Sequence, residues 1–172
     1  MNIEAVFLDR DGTIGGGNNV VYPGEFQLYD FAKEAIKLLK ENNVKIFSFT
    51  NQPDISKGLA KKQDFIDELL GFGFDKICIC PHTHEEGCDC RKPNSTMIIE
   101  CAKEFNINLN NTFVIGDRWS DMLAAENAGS RGILVKTGAG IEALEKYRNR
   151  WTKTEFIAEN VLEAVIWILK NN

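Results

Sequence analysis

AVFLDRDGTIGGG, residues 5–17, carries the strongest structural signal in the sequence. Its first four residues are apolar and predict a buried strand, which ends at Asp9 and Asp11, two carboxylates separated by one residue. A glycine-rich segment follows and allows a tight turn with a flexible flap. Aspartate is common where a strand enters a turn, so this pair alone does not indicate catalysis. It does so only if other strands bring polar residues to the same place.

Short apolar runs alternate with helical segments along the rest of the chain. We predict strands at residues 3–8, 44–50, 76–80, 112–117, 132–137 and 155–157. We predict helices at 31–42, 59–70, 94–105, 121–129 and 160–170, with Asp30 capping the first and Gly129 ending the fourth. This alternation predicts a doubly wound α/β fold, in which helices cover both faces of a mainly parallel sheet. Because no linker or internal repeat divides the sequence, we expect residues 1–172 to form a single domain.

Three of the predicted strands end in polar residues. Asp9 and Asp11 follow the first strand, Thr50 and Asn51 end the second, and Asp117 ends the fourth. The carboxyl ends of parallel strands share one edge of the sheet, where such folds bind ligands. Carboxylates gathered there repel one another unless a cation or a proton intervenes, and oxygen ligands alone favour Mg²⁺. The sequence therefore predicts a magnesium site at this edge.

Four motifs in chain order, DRDGT, TNQ, CRKP and GDRWSD, resemble those of the haloacid dehalogenase (HAD) superfamily of phosphatases. The resemblance covers nearly the whole chain. It implies that Asp9 is the nucleophile that forms an aspartyl-phosphate and that Asp11 is the general acid and base. It also implies that Asp9, the backbone carbonyl of Asp11 and Asp117 hold Mg²⁺.

The same resemblance implies roles for the remaining polar residues. Thr50 and Lys92 would hold the phosphoryl oxygens, which stabilises charge in the transition state. Asp121 would orient Lys92 or a metal-bound water. Asn51 and Arg91 would contact the substrate.

Four of the five cysteines fall between residues 78 and 90. In a reducing compartment, such clustering favours a metal site over a disulfide framework. Residues two positions apart in extended backbone point the same way, so two such pairs can chelate one ion. Four nitrogen and sulfur ligands suit a structural Zn²⁺, and the predicted ligands are Cys80, His82, Cys88 and Cys90. Cys78 and His84 share the same parity and are alternative ligands. The ion would order the loop that ends in Arg91 and Lys92.

This loop makes the chain similar to the zinc-containing, capless HAD phosphatases, which act on heptose 1,7-bisphosphate or on histidinol phosphate. The five-residue gap between the ligand pairs is closer to the histidinol-phosphate enzymes, whereas NQPDISKG is closer to the heptose-bisphosphate enzymes. The resemblance implies Mg²⁺-dependent hydrolysis of a small phosphate ester, with a sugar bisphosphate expected first and histidinol phosphate as the alternative. Without a cap the pocket would be open, and specificity would depend on the flap, Arg91, Lys57 and Tyr22.

Composition restricts the partners. The 172 residues carry a formal net charge of -5, which argues against nucleic acid, and no stretch is apolar enough for a membrane span. The first residues show neither the basic start nor the cleavable apolar segment of a secretion signal, so we expect a cytoplasmic protein. A monomer is compatible with the sequence. Two other interpretations stay open, namely a non-catalytic phosphate- or zinc-binding module and a thiol redox protein that uses Cys88 and Cys90.

Overall fold

The computed structural model describes residues 3–172 and contains one six-stranded sheet. The strands are β1 (Ala5–Leu8), β2 (Lys45–Asn51), β3 (Lys76–Cys80), β4 (Thr112–Gly116), β5 (Arg131–Val135) and β6 (Phe156–Ala158). Every pairing between them is parallel, and their order across the sheet is β3-β2-β1-β4-β5-β6. The predicted mainly parallel sheet is confirmed.

Six α-helices connect and cover these strands in the described chain. They are α1 (Asp30–Glu41), α2 (Lys62–Gly71), α3 (Thr96–Glu104), α4 (Trp119–Ala128), α5 (Gly140–Lys146) and α6 (Val161–Asn171). The sequence did not predict α5, which is short and follows a glycine-rich turn. The predicted start of α2 at residue 59 was wrong, because Leu59 lies in a turn segment and is 63% exposed.

The ends of two helices differ in how well the sequence predicted them. Asp30 is not the cap of α1, because Tyr29 occupies that position and Asp30 is the first helical residue, where its Oδ1 accepts a hydrogen bond from Lys33 Nζ at 2.9 Å. Gly129 does end α4, with a left-handed φ of 76° that glycine adopts without strain.

The side chains of β1 alternate between the two faces of the sheet, and each face buries its own apolar core. Val6 and Leu8 pack in a core that includes residues of α1 and α6. Ala5 and Phe7 pack in a second core with residues of α3 and α4. This two-sided burial, worth about 2 kcal/mol for each large apolar side chain, explains why the strand is continuously apolar up to Asp9. The predicted doubly wound arrangement is confirmed.

The order of the strands positions the polar residues. Strand β1 lies between β2 and β4, so the direction in which successive strands are added reverses beside it. Ligands bind at such a reversal, outside the carboxyl ends of the strands. The Asp9 amide still donates to Ile115 O of β4 at 3.0 Å, so its side chain leaves the sheet at a position fixed by the backbone ladder.

The segments that could carry a cap domain are short. The flap between β1 and α1 contains only isolated bridges, of Asp11 with Gly15 and of Gly15 with Leu28. The segment between β3 and α3 holds the Cys/His loop and has neither a helix nor a strand. In the part of the chain that the structure describes, no helix has the length and apolar character needed to cross a membrane.

Candidate active site

Three buried aspartates meet at the carboxyl ends of β1 and β4. Asp9, Asp117 and Asp121 each offer a carboxylate oxygen, and these atoms lie within 4.8 Å of one another. Lys92 Nζ lies 2.9 Å from Asp9 Oδ1 and 2.6 Å from Asp121 Oδ1. Its third hydrogen bond goes to Phe49 O at 3.0 Å. The fold thus brings residues from four distant segments into one cluster.

The charges of this cluster do not cancel. When all three carboxyl groups are ionised, they face one ammonium group, which leaves two negative charges without a partner in the cluster. Burial, together with the charges of Asp9 and Asp121, raises the pKa of Asp117 to about 8. Burial also raises the pKa of Asp121 to about 6, although Lys92 opposes the shift. Burial acts to lower the pKa of Lys92, but the charges of Asp121 and Asp9 outweigh it and raise that pKa.

Asp117 cannot relieve this repulsion by moving away. A Cβ atom at Gly12 would lie 2.3 Å from Asp117 Oδ2, and one at Gly138 would lie 2.2 Å from it. Both glycines have left-handed φ angles, of 83° and 56°. The Ala139 amide donates to Asp117 Oδ2 at 2.7 Å and fixes it further. An oxygen-only cluster that is held in place and lacks two positive charges fits a hard divalent cation.

The side chain of Asp11 has different partners. Its Oδ2 accepts a hydrogen bond from Gln52 Nε2 at 2.7 Å, and its Oδ1 accepts from Arg10 Nη1 at 2.8 Å and from the Val21 amide at 3.3 Å. Burial raises the pKa of Asp11, while Arg10 and Gln52 act in the opposite direction. The Asp11 carboxylate is therefore outside the aspartate cluster, and the metal contact through its backbone carbonyl stays a prediction. The third side chain of the cluster is that of Asp121.

The other predicted substrate contacts lie around the cluster. Thr50, at the end of β2, is 1% exposed and faces the cleft. Asn51 Oδ1 accepts a hydrogen bond from the Lys92 amide at 3.2 Å, so this residue fixes the Lys92 backbone, a contact that the sequence did not suggest. Arg91 Nη1 donates to His82 O at 3.0 Å, which ties Arg91 to the Cys/His loop.

Four side chains of that loop form a second cluster: Cys80, His82, Cys88 and Cys90. Cys90 Sγ lies 3.2 Å from Cys80 Sγ and 3.5 Å from Cys88 Sγ, and His82 Nδ1 lies 3.3 Å from Cys90 Sγ. Tetrahedral Zn²⁺ with bonds of about 2.3 Å would hold its sulfur ligands about 3.8 Å apart, so a small expansion admits the ion. Burial acts to raise the pKa of Cys88, but hydrogen bonds with Cys80 and Cys90 lower it to about 7, whereas burial raises the pKa of Cys80 and of Cys90.

The two alternative ligands lie elsewhere. Cys78 packs with the core on one face of the sheet, and a hydrogen bond with Cys101 lowers its pKa. His84 lines the cleft beside the aspartates. Neither joins the four-residue cluster.

The cleft has a volume of about 380 Å³, and part of its wall was missed from the sequence. Arg118 lines the cleft, and its Nη2 donates to Asn18 O at 2.9 Å, which links the start of α4 to the flap. The only signal for Arg118 was its place inside GDRWSD. A larger groove of about 870 Å³ lies between the flap and α1, but none of the clustered aspartates lines it.

Two residues expected to set specificity, Tyr22 and Lys57, both bind Asp54 at the rim of the cleft. Tyr22 Oη donates to Asp54 Oδ2 at 2.8 Å, and Lys57 Nζ lies 2.9 Å from Asp54 Oδ1. Neither Tyr22 nor Lys57 is among the residues that line the cleft. Their charged and hydroxyl groups are satisfied within the rim itself.

The doubly wound sheet, the aspartates at the ends of β1 and β4 and the lysine of the loop after β3 define a hydrolase of the HAD type, and comparison with known proteins agrees. A family described as HAD-hydrolase-like matches residues 89–164. The D-glycero-beta-D-manno-heptose-1,7-bisphosphate 7-phosphatase of Haemophilus ducreyi is 35% identical over 161 residues, which cover 83% of this chain and 88% of that protein. The D-glycero-alpha-D-manno-heptose-1,7-bisphosphate 7-phosphatase of Campylobacter jejuni is 38% identical over 138 residues, which cover 74% and 79%.

A solved structure extends this likeness to three dimensions. The D,D-heptose 1,7-bisphosphate phosphatase of B. bronchiseptica, crystallised with magnesium and phosphate, has a TM-score of 0.84 and 26% identity, covering 98% of this chain and 99% of that one. The chain belongs to the family of these heptose-bisphosphate phosphatases, within the HAD superfamily.

Proposed function

We propose that this protein is a Mg²⁺-dependent phosphatase that removes the 7-phosphate of D-glycero-D-manno-heptose 1,7-bisphosphate. The observation that carries the proposal is the gathering of Asp9, Asp117, Asp121 and Lys92 around one point, with Asp11 beside them. The activity named for the relatives supports the choice of ester, and it favours the heptose bisphosphate over histidinol phosphate. The magnesium and phosphate in the B. bronchiseptica structure support a phosphate site next to a metal.

In the first step, a carboxylate oxygen of Asp9 attacks phosphorus while the bond from phosphorus to the sugar oxygen breaks. Asp11, as the protonated acid, gives its proton to that oxygen, so the sugar leaves as an alcohol and an aspartyl-phosphate remains. Burial raises the pKa of Asp11, which favours the protonated form that this step requires.

In the second step, water attacks the phosphorus of the aspartyl-phosphate and passes a proton to the Asp11 carboxylate. The bond to Asp9 breaks, and inorganic phosphate leaves. Lys92, held by Asp121 and Phe49 O, exchanges its contact with Asp9 for a phosphoryl oxygen, and the Thr50 hydroxyl binds the phosphoryl group as well. Asn51 and Arg91 contact the substrate. Mg²⁺ held by Asp9, Asp117 and the Asp11 carbonyl would offset the repulsion between nucleophile and phosphate.

The Cys/His cluster is proposed to hold a structural Zn²⁺. All four ligand positions come from the protein, which is typical of structural sites. Its connection to Arg91, through the hydrogen bond to His82 O, supports the idea that the ion fixes the loop leading into Lys92. Metal analysis of the purified protein, with thiol titration before and after chelation, tests this. Thiols that react freely before chelation would contradict it.

A substrate comparison tests the proposed activity. Phosphate release is measured with both anomers of heptose 1,7-bisphosphate, fructose 1,6-bisphosphate and histidinol phosphate, with and without Mg²⁺. We expect kcat/KM for one heptose anomer to exceed that for the other esters by at least about thirtyfold, corresponding to about 2 kcal/mol of selective transition-state binding. Faster turnover of histidinol phosphate would assign the alternative substrate. Inertness toward every ester would favour a non-catalytic binding module.

We also propose that the protein works in the cytoplasm as a monomer. Its five cysteines are all free, which suits a reducing compartment. Fractionation of cells and the mass in solution by light scattering test these two statements.

A further inference from the structure

Arg10 lies between the two aspartates of DRDGT, yet the proposed chemistry gives it no role. Its side chain is fully buried, and it is the largest fully buried side chain in the described chain. A buried guanidinium loses its hydration and is retained only where carboxylates and aromatic faces replace the water. The partners of Arg10 therefore indicate what this residue does.

Two carboxylates hold this guanidinium. Arg10 Nη1 donates to Asp11 Oδ1 at 2.8 Å, while Nε and Nη2 donate to Glu68 Oε1 of α2 at 3.1 and 2.7 Å. The guanidinium carbon lies 3.7 Å from the ring centre of Phe26 in the flap and 4.9 Å from that of Phe65 in α2. Arg10 is thus packed between flap and helix and has little freedom to move.

The same two carboxylates also accept hydrogen bonds from the backbone of the flap. The Val21 amide donates to Asp11 Oδ1 at 3.3 Å, and the Gly24 amide donates to Glu68 Oε2 at 3.2 Å. Arg10 is therefore the centre of a continuous set of hydrogen bonds that runs from α2 through Glu68 to Asp11 and the flap.

We propose that Arg10 is a positioning residue, which holds the Asp11 carboxyl group at the site of proton transfer and is itself anchored by Glu68. The inference rests on the proposed function, because it assumes that Asp11 protonates the leaving oxygen. A proton donor that is misplaced by about 1 Å can lose two orders of magnitude in rate. That loss applies to leaving groups that need a proton, and it is small for those that depart as stable anions.

The test compares two esters at saturating Mg²⁺. A sugar phosphate has an alcohol leaving group that needs a proton, and 4-nitrophenyl phosphate has one that does not. The double variant Arg10→Met, Glu68→Gln removes the guanidinium together with its partner in α2, and Asp11 keeps its hydrogen bonds from Gln52 and the Val21 amide. We expect kcat/KM, which reports the steps up to departure of the leaving group, to fall about thirty- to hundredfold for the sugar phosphate and less than about threefold for the aryl ester.

Two further variants separate positioning from stability. Leu69→Ala, next to Glu68 and fully buried in the core, loses stability but should lower both kcat/KM values by the same small factor. Glu68→Gln alone should lower the sugar-phosphate value by a smaller factor in the same selective manner. It serves as the test if the double variant does not fold. Equal losses for the two esters in the Arg10 and Glu68 variants would overturn the inference while leaving the proposed function intact. Wild-type protein inert toward both esters would overturn both.

Discussion

The floor of the cleft and its rim are built in different ways. The floor consists of four residues that are at most 6% exposed, namely Asp9, Asp117, Asp121 and Lys92. They lie close together, and Lys92 pairs with two of the aspartates. At the rim, Tyr22 is 38% exposed, and the Lys57 side chain that pairs with Asp54 is 51% exposed. Exposed pairs contribute about 0 to 1 kcal/mol, whereas buried charges depend strongly on their partners. On the proposed function, the floor carries out the chemistry, and the exposed rim can change with little cost to stability.

The largest effect is expected from Asp9, the proposed nucleophile on the floor. Asp9→Asn keeps the shape of the side chain but cannot form the aspartyl-phosphate, so kcat should fall by at least about 10⁴. Thermal stability should hold or rise, because one of three mutually repelling carboxylates is removed. Asp64→Asn, at an exposed position of α2, is the control and should change neither quantity. Substantial turnover by purified Asp9→Asn would contradict the assignment.

A smaller but still large effect is expected where the backbone touches Asp117. In Gly12→Ala the new Cβ would meet Asp117 Oδ2 at 2.3 Å, and the left-handed φ of 83° would be strained. We expect a lower melting temperature and about a hundredfold loss of kcat/KM from the displaced carboxylate. Gly17→Ala is a matched control, since nothing lies within 4 Å of its Cβ position. Comparable losses in the two variants would show that activity falls because the flap is less flexible, not because Asp117 is displaced.

The Cys/His loop lies between floor and rim, and its loss should have an intermediate effect. Cys90→Ser, or chelation with Mg²⁺ resupplied, should lower kcat/KM about ten- to hundredfold because Arg91 and Lys92 lose their support. Cys101→Ala, in the core, should reduce stability without changing the zinc content. Full activity in a protein shown by metal analysis to be zinc-free would show that the metal in this loop is not needed for catalysis.

Metal binding on the floor should depend on pH. The pKa of Asp117 is raised to about 8, so its carboxyl group is protonated at lower pH, and a protonated carboxyl group is a poor ligand. Apparent Mg²⁺ affinity should therefore rise with pH up to about 8 and then level off, with a gain of at most about tenfold per pH unit. A raised pKa also means that metal-free protein loses stability as pH rises through this range. Titration calorimetry and melting curves at pH 6.5 and 8.5 measure both trends, and an affinity independent of pH would contradict the prediction.

The smallest effect is expected at the rim. Tyr22→Phe removes an exposed hydrogen bond to Asp54, and we expect a change of less than about threefold in KM and an unchanged melting temperature. The measurement is KM of the wild-type protein and of Tyr22→Phe, for the preferred ester and for a poor one. A loss as large as that of Gly12→Ala would show that the rim participates in the chemistry.

The sequence predicted the floor better than the rim for a physical reason. Asp9 and Asp117 follow apolar strands, and the parallel rule alone places the ends of such strands at one edge. The meeting of Asp11 with Arg10 and Glu68 could not be predicted, because it depends on how α2 packs against the flap. The same limit applies to Tyr22, whose partner Asp54 lies in a different loop, the one that also carries Lys57.

Errors in the secondary structure also have identifiable causes. Asp30 is typical of a helix cap, but in α1 it is the first helical residue and pairs with Lys33 one turn later. Helix α5 is only one to two turns long, so its apolar spacing gives too few positions to establish a period. Strand β3, by contrast, was predicted with the bounds that it has, because it is short, apolar and β-branched.

The pairing of β1 with β4 has a consequence for biosynthesis. Ala5 lies opposite Thr112, so β1 cannot pair with β4 until the ribosome has added β4 in the second half of translation. Contacts between such distant segments form slowly, and the unpaired edge of β1 is exposed to aggregation in the meantime. The nascent chain can gain its enzymatic competence only once Asp117 has emerged from the exit tunnel.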